Sequence, residues 1–235
     1  MKNWKRAAAL ALALTLALAL TACGRRSGLS KFDARTYVDG LIKEMYLGQF
    51  EESYMELVGT DRHAAEDNYE NTLELEASYF VNYCYAIRYP TEEYMDELKD
   101  LYGEIYSHTK YEIVSVAEQD DGSFAVKLSV EPINIFQLVD ADWDEGMKDW
   151  YEKYPNDILN TLSNEEYEAA DKEYAKRILD FFWEKMADIG NESARTITVQ
   201  LEKDADGYYV INSDDLTRLD ELIINYSIAD HDHEA

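Results

Sequence analysis

Two short stretches of this chain carry side chains whose type and spacing could do chemistry. In Asp140-Ala141-Asp142-Trp143-Asp144-Glu145-Gly146 the carboxylates of Asp140, Asp142 and Asp144 alternate, as the first oxygen ligands of a calcium loop do. The rest of such a loop is out of step: the glycine comes one place late, and the twelfth position is Tyr151 with Glu152 after it. At most a weak calcium site is expected there, with a solvated acidic loop as the default. In His231-Asp232-His233-Glu234, imidazole and carboxylate alternate in a way that suits a transition metal, but a terminal tail offers no fixed geometry. His63 and His108 are the other two histidines. No serine sits in a G-x-S-x-G elbow, no HExxH or CxxC occurs, and no glycine-rich phosphate loop follows a strand. Two carboxylates would serve glycoside hydrolysis, but among 49 acidic side chains no pair stands out. No catalytic residue and no cofactor is therefore assigned.

Cys23 is different, because its context fixes its chemistry. Lys2, Lys5 and Arg6 give a basic start, and Ala7–Ala22 is an uncharged run of Ala, Leu and Thr. That run is shorter than the roughly 20 residues a spanning helix needs, so it reads as the apolar core of an export signal. Its end, Leu20-Thr21-Ala22-Cys23-Gly24, resembles a lipobox, the cleavage motif of bacterial lipoproteins. The resemblance implies that Cys23 becomes the N-terminus and carries lipid on its thiol. Two acyl chains anchor stably where one does not. The expected organisation is a leader over 1–22, a lipidated tether over 23–31, one domain over 32–226 and a polar tail over 227–235. Cys84 would then be the one unmodified cysteine and is expected to pack as a small hydrophobe.

Charge narrows the partners. The full chain carries a net charge of −27, and without Lys2, Lys5 and Arg6 the mature part sets 19 basic side chains against 49 acidic ones. Such a surface repels nucleic acid and anionic lipid head groups and attracts cations or a basic envelope partner. Apolar residues make up 46% and aromatic residues 13%, enough for a real core.

The elements follow from periodicity. Tyr37, Leu41, Met45 and Tyr46 recur at helical intervals and Gly48 stops them; Phe50–Val58 is a second, short helix. Asp61 caps a third helix running toward Ile87 along Leu73, Ala77, Phe80, Val81 and Cys84, and Thr91 opens a fourth through Tyr94, Leu98, Leu101, Ile105 and Tyr106. The period then drops to two in Tyr111–Val116 and Phe124–Val130 around Asp120-Asp121-Gly122-Ser123, a hairpin. Residues 135–155 have helical spacing at Trp143, Met147, Trp150 and Tyr151 interrupted by Asp and Gly. A long helix from Asn164 to about Ile189 precedes a second hairpin, Thr196–Leu201 with Tyr208–Ile211, and a last helix capped at Asn212 or Ser213. Tyr79, Tyr83, Tyr85 and Tyr89 are spaced so that they cannot share one face.

The expected class is α+β, predominantly helical with two antiparallel hairpins. A curved sheet packed on a long helix, as in nuclear-transport-factor-like or cystatin-like folds, is one arrangement that fits. The weak echo of helices then hairpin leaves open two similar halves meeting near residue 135. Phe32-Asp33-Ala34, Gly48-Gln49-Phe50, Tyr102-Gly103-Glu104-Ile105-Tyr106, Val130-Glu131-Pro132-Ile133 and Asp206-Gly207-Tyr208-Tyr209-Val210 together resemble a group of uncharacterised lipoproteins of Gram-positive bacteria. That resemblance implies an extracytoplasmic role and brings no site residues except Cys23. The expected function is a membrane-anchored, non-enzymatic module that binds a ligand or a protein at the envelope. A lipid-anchored hydrolase using paired carboxylates is the alternative.

Overall fold

The computed structural model describes residues 28–226 except Asp206. Its first helix, α1 (Lys31–Leu47), begins with a capping box in which Ser30 and Asp33 satisfy each other's backbone, and it ends at Gly48, whose φ of 58° closes the last turn. α2 (Glu52–Val58) folds back on it. The two approach so closely at Gly40 that a Cβ there would stand 2.2 Å from Cγ of Tyr54. Gly40→Ala is accordingly expected to destabilise the domain by about 3 kcal/mol in chemical denaturation. Tyr54→Ala in the same chain should recover part of that loss, because the two changes share one contact.

α3 (Arg62–Tyr79) starts at Asp61, whose side chain accepts from the Ala64 amide, and runs into a π-helical turn at Phe80–Cys84. The extra residue per turn swings the chain out of the helix, and Ala86 then takes a φ of 51°. α4 (Glu92–Ser107), capped by Thr91, packs back along α3. The expected helix continuing to Ile87 is thus cut short, because the chain must turn to bring α4 alongside.

β1 (Lys110–Glu118) and β2 (Phe124–Glu131) form the first hairpin, with an irregularity at Val114. β3 (Arg195–Lys203) and β4 (Tyr209–Ile211) form the second, and β2 pairs with β3, from Phe124↔Leu201 to Val130↔Arg195. The hairpins therefore share one four-stranded antiparallel sheet in the order β1-β2-β3-β4. Phe124, Val126, Leu128 and Val130 alternate with more exposed residues along β2, so one face is core and the other meets water. α1 and the last helix, α9 (Ser213–Ile223), cover the core face.

Between the hairpins lie α5 (Ile135–Ala141), α6 (Trp143–Lys153), the short α7 (Asn156–Leu159) and α8 (Asn164–Lys185). The longest of these, α8, packs against α4, α5 and α6, so the helices lying on the sheet are the first and last of the domain. Ile133 is a fastening point: its amide donates to the Ile223 carbonyl at 2.9 Å, its carbonyl accepts from the Asn225 amide at 3.1 Å, and it bridges to Asn191. That knot fixes the end of the described chain, and Tyr226 with it. The predominantly helical α+β class expected from the pattern is what forms.

Candidate functional site

Among the described residues, six acidic or polar side chains are buried: Glu44, Thr72, Glu76, Asp171, Asp215 and Asp220. A buried carboxylate costs several kcal/mol unless its partners compensate, so the partners show what each is for. Asp171 on α8 accepts the Arg88 and Tyr89 amides at 3.0 and 2.8 Å, stapling the chain after the π-turn. Asp215 accepts the Gln200 amide at 2.6 Å and pairs with Arg218, tying α9 to β3. Both are structural.

Glu44, Glu76 and Asp220 meet side chains instead. Asn68, Thr72 and Glu76 lie four residues apart, so they share one inward face of α3. Asn68 donates to Glu44 of α1 at 3.1 Å. Tyr226 donates to Glu76 at 2.5 Å, its hydroxyl lies 3.4 Å from that of Tyr102, and Tyr46 donates to Asp220 at 3.3 Å. The Tyr106 ring packs edge-on to Tyr46 at 5.1 Å, and its hydroxyl is buried without a hydrogen-bond partner. Two carboxylates and four phenols thus converge from α1, α3, α4, α9 and the segment after α9. Burial, reinforced by the negative charge of Glu76 and Asp220, holds the phenols of Tyr46, Tyr106 and Tyr226 well above their usual pKa. Burial with Glu76 does the same for Tyr102. These phenols stay protonated and act as neutral oxygens.

Glu44 is a separate, titratable case. Burial pushes its carboxyl from 4.5 to about 6 against the opposing Asn68 hydrogen bond, and Oε2 has no partner. Tyr37 and Tyr54 are the phenols that feel its charge. The folded carboxyl keeps its proton to a higher pH than the unfolded one, so stability falls as pH rises from about 4.5 to about 6 and is flat above. Glu44→Gln is expected to stabilise the domain at pH 7.5 by about 1–2 kcal/mol, and the gain should vanish near pH 4.5. An equal gain at both pH values in urea melts would show that Glu44 does not carry the effect.

The residues singled out by sequence fall elsewhere. Asp140 lies in the last turn of α5, Asp142 joins it to α6 and Asp144 lies in the first turn of α6, so the acidic stretch is a helix junction and not a loop. Trp143 and Met147 bury its apolar side, Gly146 lies where a Cβ would come within 2.4 Å of the Phe181 ring, and Lys185 pairs with Asp142. Among the described residues no group of three or more His, Cys, Asp or Glu is placed to hold a metal. His63 is exposed beside Asp67, and His108 follows α4 as its C-cap. Cys84 is half-buried at the end of the π-turn. Cys23, His231 and His233 lie outside the described residues.

The tyrosines divide as their spacing requires. Tyr37, Tyr94 and Tyr106 are core, Tyr85 is buried and stacks on Trp143 at 5.3 Å, and Tyr83 and Tyr89 are exposed. Tyr83 stacks on Tyr79, which packs edge-on to Tyr226. Sequence reading missed the carboxylate–phenol cluster. Its one local signal was the four-residue spacing of Asn68, Thr72 and Glu76 beside the apolar stripe.

Among the described residues no helix is long and apolar enough to cross a membrane. No protein-family model matches the chain, and no curated protein matches it. Among solved structures, YcdA of Bacillus subtilis, a candidate lipoprotein, superposes with a TM-score of 0.51 at 17% identity over 82% of this chain and 56% of its own. The chain thus spans little more than half the length of that neighbour, and at this identity what the two share is the fold.

Proposed function

We infer that this chain is a lipid-anchored domain outside the cytoplasmic membrane that binds a basic envelope partner or a small ligand without transforming it. The leader carries this reading: a basic start, the uncharged Ala7–Ala22 run and Cys23 behind Leu20-Thr21-Ala22 meet the requirements for export followed by attachment of two acyl chains. The likeness in fold to a candidate lipoprotein is in keeping with it. A net charge of −27 favours a basic partner and disfavours nucleic acid. Against hydrolysis stands the burial of the carboxylates that the fold gathers: Glu76 is 3% and Asp220 7% exposed, whereas paired-carboxylate hydrolysis needs both groups at a cleft that admits substrate and water.

Fractionation of bacteria expressing the full chain tests the anchor. The protein should pellet with membranes, stay there in high salt and leave in detergent, and Cys23→Ala should abolish lipid labelling of the chain. A wild-type chain recovered in the culture fluid without lipid would overturn the reading. Chromogenic glycosides and peptides should remain intact in its presence. Turnover lost in both Glu76→Gln and Asp220→Asn would put the hydrolase reading first.

A further inference from the structure

We propose that the Glu76–Asp220–tyrosine cluster is a binding site for a calcium-sized divalent cation, held by the two carboxylates and by phenol oxygens of Tyr46, Tyr102, Tyr106 and Tyr226. This goes beyond the anchoring and binding role above and does not depend on it.

The cluster is built of oxygen. Glu76 and Asp220 each already face a phenol hydroxyl, of Tyr226 and Tyr46 respectively, and the Tyr102 hydroxyl stands 3.4 Å from that of Tyr226. The hydroxyl of Tyr106 points to a missing component. It is wholly enclosed, with Glu76, Asp220, Tyr46 and Tyr102 as its electrostatic neighbours, yet it bonds to none of them. Buried hydroxyls are nearly always bonded, and an orphan among acceptors marks a water or an ion. Glu76 and Asp220 both act on Tyr46, Tyr106 and Tyr226, and paired carboxylates attract a cation more than a neutral solute.

Carboxylate and phenol are hard oxygen donors, which suit calcium or magnesium and not a soft transition metal. Five chain segments supplying oxygens at irregular separations fit the loose coordination of calcium better than the strict octahedron of magnesium. Two negative charges would neutralise one divalent ion. A set with only two carboxylates also accounts for the absence, among the described residues, of a conventional group of three acidic or histidine ligands. Affinity in the range of extracellular calcium modules, about 10⁻⁴ to 10⁻³ M, is expected.

Thermal unfolding and calorimetric titration of the full chain with CaCl2, MgCl2 and NaCl at matched ionic strength test the site. Three variants separate it from general screening of an acidic protein: Glu76→Gln, Tyr106→Phe, and the exposed pair Glu70→Gln with Glu74→Gln. Calcium should raise Tm of the wild type and of the exposed double variant alike, and Glu76→Gln should lose the shift. Should Glu76→Gln fail to fold, Tyr106→Phe decides, since its hydroxyl has no protein partner to lose. That variant should be at least as stable as wild type in EDTA and should bind calcium several-fold more weakly. An undiminished calcium shift in Tyr106→Phe, or a wild-type shift no larger than that of ionic-strength-matched NaCl, would overturn the proposal.

Discussion

Phe80→Ala should lower the free energy of unfolding by about 4 kcal/mol, near the middle of the range for a fully buried phenylalanine. Phe80 is inaccessible to solvent and lies at the start of the π-turn. Its ring meets Tyr85 at 4.6 Å, Phe182 at 5.1 Å, Tyr102 at 6.2 Å and Phe136 at 6.3 Å, so one side chain ties α3 to α4, α5 and α8. Truncation to alanine removes the transfer energy of the ring and leaves a cavity that the neighbouring rings, three of them fixed on α4, α5 and α8, cannot close. For a domain of this size the loss corresponds to roughly 8–16 °C in Tm. The effect should reach the carboxylate–phenol cluster, because Tyr102 packs on Phe80 with its ring and meets Tyr226 with its hydroxyl. Phe80→Leu, which keeps most of the volume, should recover much of the loss. A denaturation midpoint for Phe80→Ala within 1 °C of wild type would show that this cluster of rings is not the centre of the core.

Asp171→Ala should cost about 3 kcal/mol by the same measurement. One oxygen, Oδ2, accepts both the Arg88 and Tyr89 amides, and each is a bond to a charged acceptor, worth more than a neutral one. The two donors lie just beyond Ala86 with its positive φ, where the chain leaves the π-turn and has no helix to satisfy its backbone. Alanine would leave both amides to water or strain. Asp171→Asn keeps one oxygen for the pair and should cost about 1 kcal/mol. Hydrogen exchange gives a site-specific check: the Arg88 and Tyr89 amides should lose protection in Asp171→Ala before the sheet does. If Asn and Ala are equally harmless, the staple is dispensable and the π-turn holds its own geometry.

These two positions differ in how visible they are in a single sequence. Phe80 continues the apolar stripe of α3 into the π-turn, where a period of 3.6 in the sequence identifies it as core. Asp171 lies among Glu168, Lys172 and Glu173 in the middle of a helix, and nothing nearby distinguishes it from a solvated acid. Its role depends on two amides more than 80 residues away in sequence. The same holds for Glu76 and Asp220, which reach one cluster only after β2 pairs with β3 and Ile133 draws in the chain beyond Ile223. Residues 135–155 show the converse. Asp and Gly suggest a loop, but Trp143, Met147 and Trp150 at helical spacing find α8 to pack on, and tertiary burial overrides the breakers.

What the sequence by itself determined is whatever rests on short-range physics. Caps at Asp61 and Thr91, the stop at Gly48, the two hairpins with their acidic glycine turns and the α+β class all come from interactions within a few residues, and each is present in the fold. The acidic balance is equally plain from composition. Tertiary structure alone decided that the two hairpins share one sheet, that the first and last helices rather than the longest cover it, and which carboxylates are buried. The physical reason is that a carboxylate's cost and its use are set by what stands opposite it. That neighbour is chosen by long-range packing, which leaves no periodic trace along the chain.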